Sequence, residues 1–533
     1  MRKSSAFALG LILCVLLAPA GAQASNPEGP LLVGRITFIE GQLLRYVYDE
    51  QDWVATVKDA PFGQEDAVYS GDTGKAEFKM PDGVWVRTGS DTQMQVMVLG
   101  NDLTEIDVAS GTARFYNKSQ KSLVKVTTPF GYVLARQGTA FDLYVGDDSA
   151  EIISLDGKVD FIVGDKETRH TVEAGGASII SDGRVAVLGD GKVDASWDEW
   201  NLEREELWTQ RVQVRGESID NLPADLRYEA FDLDRSGKWV QVYYEGAYRR
   251  LWRPTQVAAG WQPFTGGRWT VWREDNVWIP GEPFGYVTHH YGNWVYTNSA
   301  WYWAPPEKGR TGAGSYSYWY PGRVSWIHSS VDVGWVPLAP SEVYYSNNYW
   351  GPGSSVVRLQ KRGPGIVVDR LAYAGHATIV PRSRLYSVNS YTGVRVMRLN
   401  RGSIIGNYRA APVISDRVMP NYSSTRNRYV YNINMAHLAA KPHNEVADRI
   451  NRNLKNYPGM NGAVSAVTIQ KELSRMGRGK PLGDAQAVLR VQQLRVTSRL
   501  VPENMVNRPR SEIQFNQRAL KSQEKQPQRL PIF

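Results

Sequence analysis

The chain of 533 residues contains one cysteine, seven histidines and a single long apolar run. One cysteine excludes a disulfide scaffold and any cysteine-rich metal site. A mean hydropathy of −0.40 with only that one run excludes a polytopic membrane protein. The short motifs of common chemistry are also missing. There is no Gly-x-Ser-x-Gly elbow, no His-Glu-x-x-His, no phosphate-binding Gly-x-x-x-x-Gly-Lys and no dinucleotide fingerprint. His289-His290 would point to opposite faces of a strand, a poor metal site. Asp232, Asp234 and Gly237 start like a calcium loop, but Tyr243 stands where the bidentate Glu belongs. A plain turn is the simpler expectation there. No catalytic residue, metal ligand or cofactor site is assigned.

What is present is unevenly placed. Charged residues make up 22% of the chain, an ordinary globular share. Residues 1–355 hold 32 Lys and Arg against 45 Asp and Glu, a net −13. Residues 356–533 hold 30 against 9, a net +21, and the two nets return the formal +8. Of 18 tryptophans, 16 lie between Trp197 and Trp350.

Arg2 and Lys3 precede the apolar run Phe7 to Leu17, and Ala22-Gln23-Ala24 offers small residues to a signal peptidase. The pattern predicts export, with cleavage after Ala24 and a periplasmic or secreted product. The run is too short to span a bilayer comfortably, so no transmembrane anchor is expected. Cys14 lies inside it, and Leu13 occupies the place where a lipoprotein needs a small residue.

Residues 30–193 alternate short apolar runs with turn signals. Examples are Gly34 to Ile39, Ala76 to Met80, Val84 to Val86, Met94 to Leu99, Leu123 to Val126 and Phe141 to Val145, with turns at Pro81-Asp82-Gly83, Asp156-Gly157 and Ser181-Asp182-Gly183. Such a series predicts an all-β module, antiparallel or solenoid-like. Gly34-Arg35-Ile36, Gly71-Asp72, Thr128-Pro129-Phe130-Gly131, Gly138-Thr139-Ala140-Phe141, Leu155-Asp156-Gly157-Lys158-Val159 and Glu173-Ala174-Gly175-Gly176 follow in order. Together they resemble the FecR-type periplasmic domain. In that family the domain sits outside an inner-membrane helix and relays a signal to a sigma factor. The resemblance implies an extracytoplasmic β module. The sigma-regulator plan is not matched, because a cleavable leader replaces the membrane helix. Residues 194–215 read as a connecting helix whose stripe is Trp197, Trp200, Leu207 and Trp208.

Residues 222–350 carry a repeat. Trp269 is followed nine residues later by Trp278-Ile279-Pro280, Trp294 by Trp303-Ala304-Pro305 and Trp326 by Trp335-Val336-Pro337. Trp239 and Trp252-Arg253-Pro254 form a looser copy. Gly267-Arg268-Trp269 aligns with Gly292-Asn293-Trp294 at an offset of 25. Each copy predicts a hairpin with two Trp on facing strands, and the copies together a meander or small barrel. Pro254, Gly260-Trp261-Gln262-Pro263, His290-Tyr291-Gly292 and Trp301-Tyr302-Trp303 resemble a Trp/Tyr/Pro-rich domain of unknown function that commonly follows FecR-type domains. Most of these tryptophans are expected to fill a core poor in Leu, Ile and Val. A candidate aromatic binding surface is drawn from Trp261, Trp269, Trp278, Trp294, Trp301, Trp303, Trp326 and Trp335.

Residues 351–413 read as a β-rich extension, with strand-like runs at Gly365 to Val368 and Ala377 to Val380. Residues 414–533 read as a basic tail, partly helical (Asn444 to Asn456, Ser465 to Met476, Asp484 to Leu500) and partly disordered. The expected function is binding or scaffolding in a Gram-negative envelope, without catalysis. Expected partners are envelope glycans, anionic envelope components such as lipopolysaccharide phosphates, or a protein; the compartment argues against nucleic acid. An envelope signal-sensing role and a cell-wall glycan-acting enzyme are the alternatives.

Overall fold

A computed structural model describes residues 29–422, except 48–51, 165–167, 214–215, 308–315, 360–364, 397–398 and 421, together with Ile469 and Lys471. The signal sequence, the first and third helical candidates of the tail and its terminal stretch lie outside the described residues.

Residues 34–188 form seventeen strands in two facing sheets, neither of them closed. One long strand, Leu103–Asn117, belongs to both. Its first half pairs with Gln93–Leu99 and, in parallel, with Leu123–Thr128 in the second sheet. Its second half pairs with Val84–Thr88 and Thr139–Val145 in the first sheet. The strand changes sheets at Gly111, whose φ is +91° and where a Cβ would lie 2.4 Å from the Thr92 Cα. Only glycine suits that corner. Alternate residues of both sheets point inward, among them Ile36, Phe78, Val96, Ile106, Phe115, Val133, Phe141 and Phe161. Phe115 and Phe141, paired in register, stack at 4.9 Å. The expected runs appear as strands, and Gly83, Gly157 and Gly183 take positive φ in the turns named for them.

The connecting helix spans Ala195–Gln213. Asp194 caps it, its Oδ1 accepting from the backbone N–H groups of Ser196 and Trp197 at 3.0 Å each. Trp197, Trp200 and Trp208 face the first sheet, while Leu207, expected in the same stripe, is exposed. The outer face beneath carries a charged row on neighbouring strands, Glu77, Arg87, Arg114 and Asp142. Glu77 accepts from Arg87 Nε, Arg204 Nη2 and Trp208 Nε1, each at 2.8 Å. Arg114 grips Asp142 with two bonds of 2.6 and 2.7 Å. Burial pushes the Glu77 carboxyl up, but Arg87 and Arg204 outweigh it and hold its pKa below the usual value.

Residues 231–236 are helical, within Ala230–Ser236, and form neither a calcium loop nor a plain turn. Asp232 pairs with Arg211, and Asp234 accepts from Ser218. Four hairpins follow: Gly237–Tyr244 with Ala247–Pro254, Gly267–Trp272 with Asp275–Pro280, Asn293–Thr297 with Ala300–Ala304, and Val324–His328 with Asp332–Pro337. The hairpins do not run on as one meander and do not close into a barrel. The first and third join in a four-stranded sheet through Trp252 and Trp303. The second stands as its own two-stranded sheet. The fourth is flanked by Thr378–Pro381 and Arg409–Ala411. The extension thus completes the hairpin module. The stretch Gly365 to Val368 is not a strand; Val368–Arg370 is a 3-10 turn. Ile414 and Val418, placed in the tail by sequence, are buried in the core.

Candidate interaction surface

The four Trp pairs expected across the hairpins are register partners: Trp239 with Trp252, Trp269 with Trp278, Trp294 with Trp303 and Trp326 with Trp335. The candidate aromatic surface, however, is interior. Trp269, Trp278, Trp303 and Trp335 have no exposure, and Trp294, Trp301 and Trp326 are buried. Trp261 is half-buried, with its Nε1 donating to Glu282 Oε1 at 2.9 Å and its ring on Trp294 at 5.2 Å. The reason is packing. Trp269 alone touches Phe264, Trp278, Trp326 and Trp335 at centroid distances of 4.8 to 5.8 Å. Large rings close a core that aliphatic side chains do not fill. Several indole N–H groups end on the backbone: Trp252 on Leu233 O, Trp303 on Tyr291 O and Trp335 on Phe264 O.

His289 and His290 lie in a short helix, Gly285–His290, not a strand. Burial lowers their pKa values to about 3 and about 4. Phe264 N donates to His289 Nε2 at 3.2 Å, and His290 Nδ1 meets Tyr320 O at 2.7 Å. Both are neutral structural residues.

The two modules are joined by buried charge. Arg35 of the first strand donates to both Glu229 oxygens at 2.8 Å and to Asp59 at 2.8 Å, and its guanidinium lies 3.9 Å from the Tyr286 ring. Burial works against the Glu229 carboxylate, but Arg35 and Lys79 outweigh it and lower its pKa. Trp272 Nε1 bonds Asp66 across the same seam at 3.0 and 3.1 Å. A cavity of about 40 Å³ between Arg35, Lys79, Glu229, Tyr286 and Tyr291 has the size for water.

The exposed aromatic chemistry lies elsewhere, at the tip of the first hairpin. Tyr243 and Tyr248 are cross-strand partners, 59% and 76% exposed, with ring centroids 5.3 Å apart. By strand alternation Gln241 and Arg250 share their face, and both are exposed. Arg250 holds Glu217 at 2.7 Å. Nothing in the repeat marks this pair, because neither tyrosine belongs to the Trp spacing. The available signal was the absence of a Trp or Pro partner at the tip.

Residues 66–160 match the FecR protein family, and residues 230–342 match a family of unknown function, DUF6600. No curated protein matches the chain. Among solved structures, two crystal structures of a candidate anti-sigma factor from Parabacteroides distasonis ATCC 8503 are similar. The one at 1.65 Å has 15% identity over 25% of this chain and 64% of its own, with a TM-score of 0.22. The one at 2.50 Å has 16% identity over 27% and 72%, with the same TM-score. The chain thus spans somewhat under two thirds of the first.

Proposed function

We propose that this chain, a FecR-type β module welded to an aromatic hairpin module, is a non-enzymatic envelope protein of the signal-regulatory kind, exported to the periplasm. We further propose that it engages an envelope glycan through the tip of its first hairpin. The FecR match supports the class. The finer reading rests on one observation: Tyr243 and Tyr248 are the large aromatics that stand mostly exposed among the described residues, and they share a face with Gln241 and Arg250. Tyrosine rings offer a flat apolar face with a polar edge, and the amide and guanidinium offer donors to hydroxyl or phosphate oxygens. The exposed Arg250–Glu217 pair contributes about 1 kcal/mol or less, so the guanidinium is free to change partners.

Pull-down with peptidoglycan and with lipopolysaccharide tests the reading. The Tyr243→Ala/Tyr248→Ala chain should retain its fold and lose about tenfold in binding, or ~1.4 kcal/mol. Undiminished binding to both materials would remove the glycan assignment. The FecR match favours a second reading, a protein partner held by the β module, and that reading predicts that the tip variant keeps its partner. To isolate the basic tail, truncation belongs after Tyr422, because Ile414 and Val418 are part of the core.

A further inference from the structure

Six outward-facing side chains of the second sheet are drier than their position allows. Val96, Ile106, Val124, Val133 and Phe161 point into the sandwich core. On the opposite face, Met97, Val98, Leu103, Leu123, Leu134 and Ile162 form a separate apolar cluster, and none exceeds 6% exposure. The outward face of a largely antiparallel sheet is ordinarily solvated. An apolar patch this dry has a cover. Ile469 packs within the cluster at 7% exposure, and Lys471, two residues on, is exposed; both are helical.

The sequence around Ile469 explains the choice. Ala466, Ile469, Leu473 and Met476 recur at helical spacing, one apolar stripe, while Lys471 and Arg475 fall opposite it. Glu105, Asp107 and Asp160 stand on the same face beside the apolar cluster, each buried and already partnered, by Lys125 at 3.0 Å, Thr127 at 2.8 Å and Arg169 at 2.7 Å. Residues 30–193 as a whole hold 16 Lys and Arg against 25 Asp and Glu, a net −9 opposite in sign to the +21 of the C-terminal third. Residues 423–468 extend to on the order of 150 Å, ample to reach.

We propose that the outer face of the second sheet is a docking surface for an amphipathic helix, and that the chain's own segment Ser465–Met476 occupies it. The basic tail is thereby strapped back onto the acidic FecR-type module. Tethering keeps the local concentration of the segment high, so another helix reaches this face only by displacing it. The inference is independent of the glycan reading.

Because Cys14 is the only cysteine, thiol chemistry reads the contact directly. In a full-length Cys14→Ser background, Ile469→Cys should alkylate about tenfold or more slowly than Lys471→Cys, as for a site that reacts only through local opening. Adding Leu473→Glu/Met476→Glu, which leaves the sheet untouched, should bring the two rates together. Equal rates without those changes would overturn the proposal. So would protection at position 469 that disappears on dilution, which would assign the face to the segment of a second copy. Protection that survives Leu473→Glu/Met476→Glu would also overturn it.

Discussion

A Cβ at position 267 would lie 2.6 Å from Cζ2 of Trp278 on the facing strand, and 2.5 Å from the carbonyl oxygen of Ile279. Gly267 is therefore the socket for the second indole of its hairpin. The same relation holds for Gly237 with Trp252, at 2.4 Å, and for Gly292 with Trp303 Nε1, at 3.0 Å. Val324 stands at this place in the fourth hairpin, whose Trp335 packs on Tyr391 at 4.7 Å. The glycine two residues before the first Trp is thus part of the repeat for a steric reason. Gly267→Ala should destabilise the chain by about 1–3 kcal/mol, as overpacking does. Gly365→Ala, with no heavy atom within 4 Å of the new Cβ, should change little. Urea unfolding of the two variants checks the contrast.

Glu77 is the anchor of the connecting helix. Glu77→Gln removes the closer carboxylate from the fully buried Arg87 guanidinium, leaving it Glu205 at 3.4 Å, and weakens the bonds from Arg204 and Trp208. Breaking a buried pair in this way costs about 3–5 kcal/mol. Hydrogen exchange should quicken along Ala195–Gln213 before it does in the core strands.

The seam between modules predicts a similar loss. Glu229→Gln leaves Arg35 with Asp59 alone. A drop of about 3 kcal/mol is expected. Limited proteolysis should then cut between the modules, near residues 216–223, several-fold faster than in the parent chain.

The buried histidines set a pH dependence. Their pKa values fall from 6.5 to about 3 and about 4 on folding. The unfolded chain therefore takes up protons first as pH falls below 6.5, and stability declines from there, down to about pH 4 through His290 and about pH 3 through His289. Each histidine contributes at most about 1.4 kcal/mol per pH unit. His290→Gln should flatten the slope of unfolding midpoint against pH in that window, and an unchanged slope would contradict the assignment.

The hairpin partners could be paired from sequence because a nine-residue Trp spacing closed by a turn leaves one register: Trp269 opposite Trp278, Trp294 opposite Trp303. The strands of the first module were equally visible, since short apolar runs bounded by Gly, Asp and Pro turn signals are local features. The joining of the first hairpin to the third was not visible, because Trp252 and Trp303 meet only when the whole module folds. The helix at His289 was hidden for a related reason. Six residues are too few for periodicity to show, and the fold around Gly285 and Tyr320 decides their conformation.

The sequence by itself determined that this chain is all-β in its folded part, that aromatic hairpins repeat within it, and that acidic and basic regions are segregated. Those properties follow from local spacing and composition. Only the tertiary structure decided which aromatic faces meet solvent. A Trp pair on one hairpin has two sides to offer, and neighbouring hairpins and the 378–411 strands consumed both. What remained outside was Tyr243 and Tyr248, at a hairpin tip that no described neighbour covers. Exposure is a property of what packs alongside, and no residue carries it in its own identity.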